Sequence, residues 1–362
     1  MAAPFPLFEG KYEIITKLKE GGMGAVYKVR HRLLDEVRVI KLIRPQLESD
    51  EAIRARFLRE ARTAVRLRHP NIAQFYDFSM DEEGNAFIVM EFIEGFTLEE
   101  MITRVGPPSL PLGLEIAEQS LQPIGYLHRR STIHRDVSPD NLMLSRNDDG
   151  FPLIKLIDLG IAKVLEEEGH SQITRRGLTG TGMFLGKVRY ASPEQFHAQE
   201  GVSMDARSDL YSFGLVLYEL LTGTHPIRGS SVPSFIAGHL FHPPVPFSES
   251  DPEGHIPEDL RAVVLRSLAK APEARFASAE AFIQALAPIK ARFPLSLESA
   301  VVALDSVTAV FTEKTQVGSV GSTQARIDRQ FGIAPTPPPV TTPSSCLLYT
   351  SPSPRDRTRS RM

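Results

Sequence analysis

Residues 133–160 constrain the fold of this chain more than any other segment. They contain two short apolar runs, 142–144 and 153–157, separated by the turn Asn-Asp-Asp-Gly at 147–150. Apolar runs on either side of a short polar turn ending in glycine predict a β-hairpin. The hairpin would fix the spacing of whatever polar groups stand at the ends of its strands.

Three such groups stand there. Asp136 and Asn141 precede the first strand, and Asp158 follows the second. Hard divalent cations bind oxygen ligands, and a phosphoryl donor completes their coordination shell. We interpret the two carboxylates and the amide as a site that activates a hydroxyl beside one or two Mg²⁺ ions. An ordinary polar hairpin is the alternative, but it does not account for their spacing.

His134-Arg135-Asp136 with Asn141, followed by Asp158-Leu159-Gly160, resembles the catalytic loop and metal-binding motif of the eukaryotic-like protein kinases. The resemblance extends over about residues 11–288. It implies an α+β, two-lobed protein kinase fold, with a small β-rich N-lobe (about 11–92) containing one helix and a larger, mostly helical C-lobe (about 93–288). It also implies a serine/threonine protein kinase of bacterial signalling that uses ATP with Mg²⁺ or Mn²⁺.

Composition excludes several other classes. The net charge of -3 across 362 residues argues against a general nucleic-acid binder. A single cysteine, Cys346, excludes an internal disulfide framework. The sequence has no signal peptide and no run of about 18 apolar residues. We therefore expect a cytoplasmic catalytic domain without a membrane span in this chain.

Lys41 stands on the apolar face of a predicted strand at 37–43, and a buried ammonium needs a partner. Glu60 lies on the inward stripe of a predicted helix at 51–68 and is the expected partner, although a lysine can also extend to solvent. By resemblance, Lys41 holds the phosphates of ATP and Glu60 orients it. The arginines of that helix form a solvated face, a nucleic-acid patch or a phosphate receptor, and the solvated face is favoured.

A glycine cluster between two predicted strands suits phosphate binding, although most such clusters are flexible turns. The family pattern Gly-x-Gly-x-x-Gly begins with Lys19 here, while Gly21 and Gly24 keep the other two positions. By resemblance, Met90 is the gatekeeper and the backbone of Glu91 and Ile93 binds adenine. The complete set of implied nucleotide contacts is Leu18, Gly21, Gly22, Gly24, Val26, Val39, Lys41, Glu91, Ile93 and Met143.

The resemblance makes residues 158–194 the activation segment. Thr174, Thr179 and Thr181 are its candidate phosphorylation sites, and Arg135 is the expected phosphate receptor. Besides protein substrates, the expected partners include a second copy of the chain, which would autophosphorylate in a dimer. The family also implies that Asp209 braces the catalytic loop and that Arg275 pairs with Glu194.

Two positions depart from the family pattern. Ser138 replaces the lysine that contacts the γ-phosphate, and Lys187 replaces a threonine near the end of the activation segment. We hypothesise that the Lys187 ammonium takes over the missing role. A pseudokinase that binds ATP without turnover is the alternative, although Lys41, Glu60, Asp136, Asn141 and Asp158 are retained. A small-molecule phosphotransferase is disfavoured by Asp209, Arg275 and the Ser-Pro-Glu sequence.

The C-terminal part has a different composition. Residues 293–311 predict one more helix within a 289–345 region whose remainder, rich in Thr, Ser, Gly and Pro, is a disordered linker. Linkers of this type in bacterial kinases lead to a membrane span or a sensor domain. Residues 346–356 resemble the translation of a sequencing-library adapter, so we expect 346–362 to be non-native and the native C-terminal part to be missing. A basic tail that binds membrane or nucleic acid is the alternative.

Overall fold

In a computed structural model of the chain, the described residues are 10–21, 24–43, 62, 64–80, 86–158, 188–196 and 204–313. The N-terminal part is a five-stranded antiparallel sheet in the order β1-β2-β3-β5-β4. Its strands are β1 (Tyr12–Gly21), β2 (Gly24–His31), β3 (Glu36–Ile43), β4 (Phe75–Met80) and β5 (Ala86–Glu91).

Both faces of this sheet are apolar. Side chains alternate along a strand, so neighbouring residues of β3 belong to different clusters. Ile40 and Leu42 pack with Tyr12 and Val29 in a small core, whereas Val39 belongs with Met90 to the main core of the domain. One face of the sheet therefore packs against the main core of the domain, and the other face carries a small core of its own.

The rest of the domain is mostly helical. Its helices are α1 (Leu98–Arg104), α2 (Leu110–His128), α3 (Pro193–Phe196), α4 (Arg207–Thr222), α5 (Val232–Phe241), α6 (Phe247–Ser250), α7 (Glu258–Ser267), α8 (Ala279–Arg292) and α9 (Leu297–Glu313). Short 3₁₀ turns cover Pro139–Asn141 and Pro272–Ala274.

Helix α4 is the centre of this helical part. Its residues from Ser208 to Leu220 are all buried, as its nearly continuous apolar sequence predicted. The helix ends at Gly223, whose φ of +69° is a left-handed conformation that glycine adopts without strain. Helices α2 and α7 pack against it.

A second sheet has three strands and contains the hairpin whose ends carry the predicted site residues. It consists of β6 (Phe96–Thr97), β7 (Leu142–Arg146) and β8 (Pro152–Leu156) in that order. The antiparallel pairing of β7 with β8, in which Leu142 faces Leu156, confirms the predicted hairpin.

The boundaries of two predicted helices can be compared with the structure. The helix predicted at 293–311 is α9, which begins at Leu297 because Pro294 follows the end of α8 and disfavours helical continuation. Of the helix predicted at 51–68, residues 62 and 64–68 are described: Arg62, Ala64 and Val65 are helical, whereas 66 is in a turn and 67–68 are irregular, so the predicted end at 68 is wrong and the described helix ends at Val65. Within the described residues no single helix is long and apolar enough to cross a membrane; α8 and α9 together meet that length and composition but bend by 103°.

Candidate active site

A contact between Lys41 and Asp158 links the five-stranded sheet to the end of the β7–β8 hairpin. Strand β3 carries Lys41, and its Nζ atom forms an ion pair with Asp158 Oδ2. The two side chains are only 24% and 30% exposed, so water screens the pair less than on an open surface. Glu60 and its predicted pairing with Lys41 lie outside the described residues.

The register of the hairpin places Asn141 beside Ile157, the residue that precedes Asp158. Leu142 faces Leu156, and the amide of Ile157 donates to the carbonyl of Asn141 at 3.0 Å. Asn141 Nδ2 in turn donates to the backbone carbonyl of Asp136 at 2.8 Å. The catalytic loop is thereby tied to the strand end that carries Asp158.

Asp209 braces the catalytic loop, as predicted. Its carboxylate accepts from the amides of His134 and Arg135, both at 2.8 Å, and lies 2.7 Å from His128 Nε2. Burial raises the pKa of this carboxyl, but its hydrogen bonds and the neighbouring histidines lower it more, so the pKa of Asp209 lies below its ordinary value. A charged carboxylate at this position therefore holds the loop.

A hydrogen bond to Asp209 holds Arg135 in a strained backbone conformation. Arg135 has a φ of +65°, a left-handed conformation that is uncommon for residues other than glycine. Its carbonyl also accepts from Gln195 Nε2 at 3.3 Å. The residue before Asp136 is therefore held both by α4, through Asp209, and by α3, through Gln195.

Glu194 and Arg275 form a buried ion pair, which confirms their predicted pairing. Two guanidinium nitrogens lie 2.7 and 2.9 Å from the two carboxylate oxygens, and Ser208 Oγ donates to Glu194 at 2.6 Å. Burial raises the pKa of Glu194, but the bonds from Arg275 and Ser208 outweigh it and the pKa is lowered. The pair fixes the end of the activation segment to the core.

The comparisons with known proteins agree with this geometry. The family model of the protein kinase domain matches residues 12–286. The chain belongs to the protein kinase family. The serine/threonine-protein kinase pkn3 of Myxococcus xanthus is 39% identical over 274 residues, which cover 75% of this chain and 48% of that protein. The serine/threonine-protein kinase PknB of Mycobacterium tuberculosis is 38% identical over 272 residues, covering 74% and 41%.

A solved structure shows the same fold. The crystal structure of the PknI kinase domain of Mycobacterium tuberculosis matches with a TM-score of 0.56 and 28% identity, covering 77% of this chain and 96% of that one. The predicted α+β kinase fold is confirmed, and the domain is a serine/threonine protein kinase domain of the bacterial type. The chain spans about half or less of the length of the curated relatives it matches.

The kinase domain has a further contact that the sequence did not predict, at the hinge, which is the segment 91–95 between β5 and β6. Lys155 Nζ on β8 lies 2.8 and 2.9 Å from the carboxylate oxygens of Glu91. The amide of Glu91 donates to the carbonyl of Gln74 at 2.8 Å. These residues are far apart in sequence, and the alternation of β8 alone does not indicate what Lys155 contacts.

The structure also places the other predicted nucleotide contacts. Gly21 and Gly24 face each other across the β1–β2 hairpin, Leu18 is 49% exposed on β1, and Val26 and Met143 are half-buried. Val39 belongs to the main core. The predicted residues outside the described part of the chain are Gly22, Glu60, Thr174, Thr179, Thr181 and Lys187.

Proposed function

We propose that this chain is an ATP- and Mg²⁺-dependent protein kinase that transfers the γ-phosphate to serine and threonine hydroxyls of proteins. One observation carries the proposal: the catalytic hairpin, the catalytic loop and Lys41 are joined by direct contacts. The ion pair of Lys41 with Asp158 and the bond of Asn141 to the Asp136 carbonyl are those contacts.

The donor atoms fit a hard divalent cation. Because Asn141 Nδ2 donates to a carbonyl, the Oδ1 atom is the part of this amide that can ligate a metal. Asp158 contributes its carboxylate. A Mg²⁺ or Mn²⁺ ion held by these two residues would neutralise charge on the ATP phosphates.

The remaining roles belong to side chains of the chain itself. Asp136 orients the acceptor hydroxyl and accepts its proton, while Lys41 holds the donor phosphates. The amide of Glu91 is already bonded to Gln74, so its carbonyl and the amide of Ile93 are the groups for adenine. Most of the acceleration comes from positioning and electrostatics. We place this chemistry in the cytoplasm, where ATP is available.

Phosphorylation of the activation segment would regulate the enzyme. A phosphate on Thr174, Thr179 or Thr181 adds negative charge that Arg135 can bind. Arg135 has a strained backbone, and its carbonyl accepts from Gln195, the residue that follows the activation segment. Ordering of the segment would therefore also fix the position of the adjacent Asp136. Autophosphorylation between two copies of the chain would supply that phosphate.

Lys187 would compensate for Ser138. We expect Lys187→Ala to reduce the rate of phosphoryl transfer about tenfold or more, because it removes a positive charge from the γ-phosphate. Lys163→Ala, in the same segment, is the matched control and should keep the wild-type rate. An unchanged rate in Lys187→Ala would show that the charge swap is wrong.

Transfer of radiolabelled γ-phosphate from Mg²⁺-ATP to a generic basic protein tests the function. Wild-type protein should label the substrate, and Asp158→Asn should reduce the rate by at least about a hundredfold, because it removes the negative charge that binds the metal and pairs with Lys41. Nucleotide binding without transfer by the wild type would instead identify a pseudokinase.

A further inference from the structure

Helix α9 lies beyond residues 12–286, which the kinase family model matches, yet one of its faces belongs to the domain. Ala300, Leu304 and Val307 are 0%, 3% and 5% exposed, and Phe311 continues the same helical spacing. Val302, which lies off this stripe, is 61% exposed. The helix is therefore docked along one stripe rather than projecting from the domain.

The docked face meets the part of the chain that follows the hinge. The ring of Phe311 stacks on that of Phe96 on β6, with centroids 4.7 Å apart and planes inclined by 5°. The guanidinium of Arg104, at the end of α1, lies 4.8 Å from the Phe311 centroid. Asp305 accepts from Arg146 on β7 at 2.6 Å.

The hinge exit is itself fixed tightly to β7. A Cβ atom at Gly95 would lie 2.2 Å from the carbonyl oxygen of Leu144, so the two backbones are in direct contact. Ser145 Oγ donates to the carbonyl of Glu94 at 2.6 Å. A shift of Phe96 would therefore be passed both to the hinge and to the strand that carries Met143.

We propose that Phe311 is a positioning residue for the nucleotide site, acting through Phe96 on the hinge and on β7. The inference rests on the proposed function, because it concerns the adenine nucleotide which that function requires. Phe96 follows Ile93 by three residues, and Met143 pairs with Thr97 on β6. The stacked pair of Phe96 and Phe311 thereby sets the distance between the hinge residue Ile93 and Met143 on β7, the residues on the two sides of the adenine site.

The test is the kinetics of Phe311→Ala beside the wild type. We expect the KM for ATP to rise about 3- to 10-fold, the change that loss of one stacked aromatic pair supports. The kcat and the KM for the protein substrate should stay within about twofold, because the catalytic loop keeps its brace from Asp209. Phe311→Tyr keeps the aromatic ring and should have the wild-type KM for ATP. Val302→Ala, on the exposed face of the same helix, is the control and should also have the wild-type KM.

Hydrogen exchange on the unaltered chain gives an independent check. Coupling between two sites is reciprocal, so ADP with Mg²⁺ should slow amide exchange in residues 297–311 by about threefold or more. A lower melting temperature in Phe311→Ala with a normal KM for ATP, or exchange that ADP does not change, would overturn the inference. Absence of ADP binding to the wild type would overturn the proposed function as well, which separates the two failures.

Discussion

The ion pair of Glu194 with Arg275 gives the sharpest prediction for stability. Their side chains are 6% and 0% exposed, and the other Arg275 donors bond to the carbonyls of Ala269, Lys270 and Arg207. Glu194→Gln keeps the shape but leaves this guanidinium buried without its counter-charge. Breaking a buried pair in this way costs about 3 to 5 kcal/mol.

Urea unfolding and calorimetry measure this cost, which corresponds to a fall in melting temperature of about 10 °C for a domain of this size. Glu249→Gln is the matched control, because its pair with Arg228 is exposed and should cost less than about 1 kcal/mol. Arg275→Met combined with Glu194→Gln should cost less than the sum of the single variants. A cost below about 1 kcal/mol for Glu194→Gln would show that the buried pair does not stabilise the fold in this way.

The pair also predicts a dependence on pH. The pKa of Glu194 is lowered in the folded chain, because the bonds from Arg275 and Ser208 outweigh the effect of burial. The stabilisation is therefore complete above the unfolded pKa and is lost as the pH falls through the folded pKa. The difference in unfolding free energy between wild type and Glu194→Gln should shrink below about pH 4.5.

Two other variants test the frame of the site. Asp209→Asn removes the charge that two loop amides and His128 contact, so we expect a loss of about 2 to 4 kcal/mol in unfolding and a lower kcat with nucleotide binding retained, measured by urea unfolding and nucleotide titration. Burial, with the neighbouring side chains of His225 and Lys270, lowers the pKa of His239 to about 3. The unfolded chain gains a proton at His239 below pH 6.5 and the folded chain does not, so this residue should cost about 2 kcal/mol of stability between pH 7 and pH 5. His239→Gln should remove that part of the slope in urea midpoints, and an unchanged slope would contradict the assignment.

Local sequence pattern was sufficient for the elements that carry the chemistry. The apolar runs around 147–150 predicted the β7–β8 hairpin, and the continuous apolar sequence after Asp209 predicted α4. The family resemblance then placed Asp209 beneath the catalytic loop and Arg275 against Glu194. Each of those contacts is present at hydrogen-bonding distance.

Local sequence pattern could not predict the contacts between segments that are distant in sequence. The bond of Lys155 to Glu91 joins positions 64 residues apart, and the alternation of β8 does not indicate which side chain it meets. The stacking of Phe311 on Phe96 likewise depends on the turn between α8 and α9. Such pairs are determined by tertiary packing, in which the length and direction of connecting segments decide the partners.

Phosphoamino-acid analysis of a protein substrate after incubation with Mg²⁺-ATP, for the wild type and for Asp136→Asn, measures directly whether the chain phosphorylates serine and threonine. We predict phosphoserine or phosphothreonine with the wild type and a fall in rate of at least about a hundredfold in the variant, because the group that orients the hydroxyl is lost. Equal phosphorylation by both proteins would contradict the assignment of Asp136, and phosphate on neither serine nor threonine would contradict the proposed function.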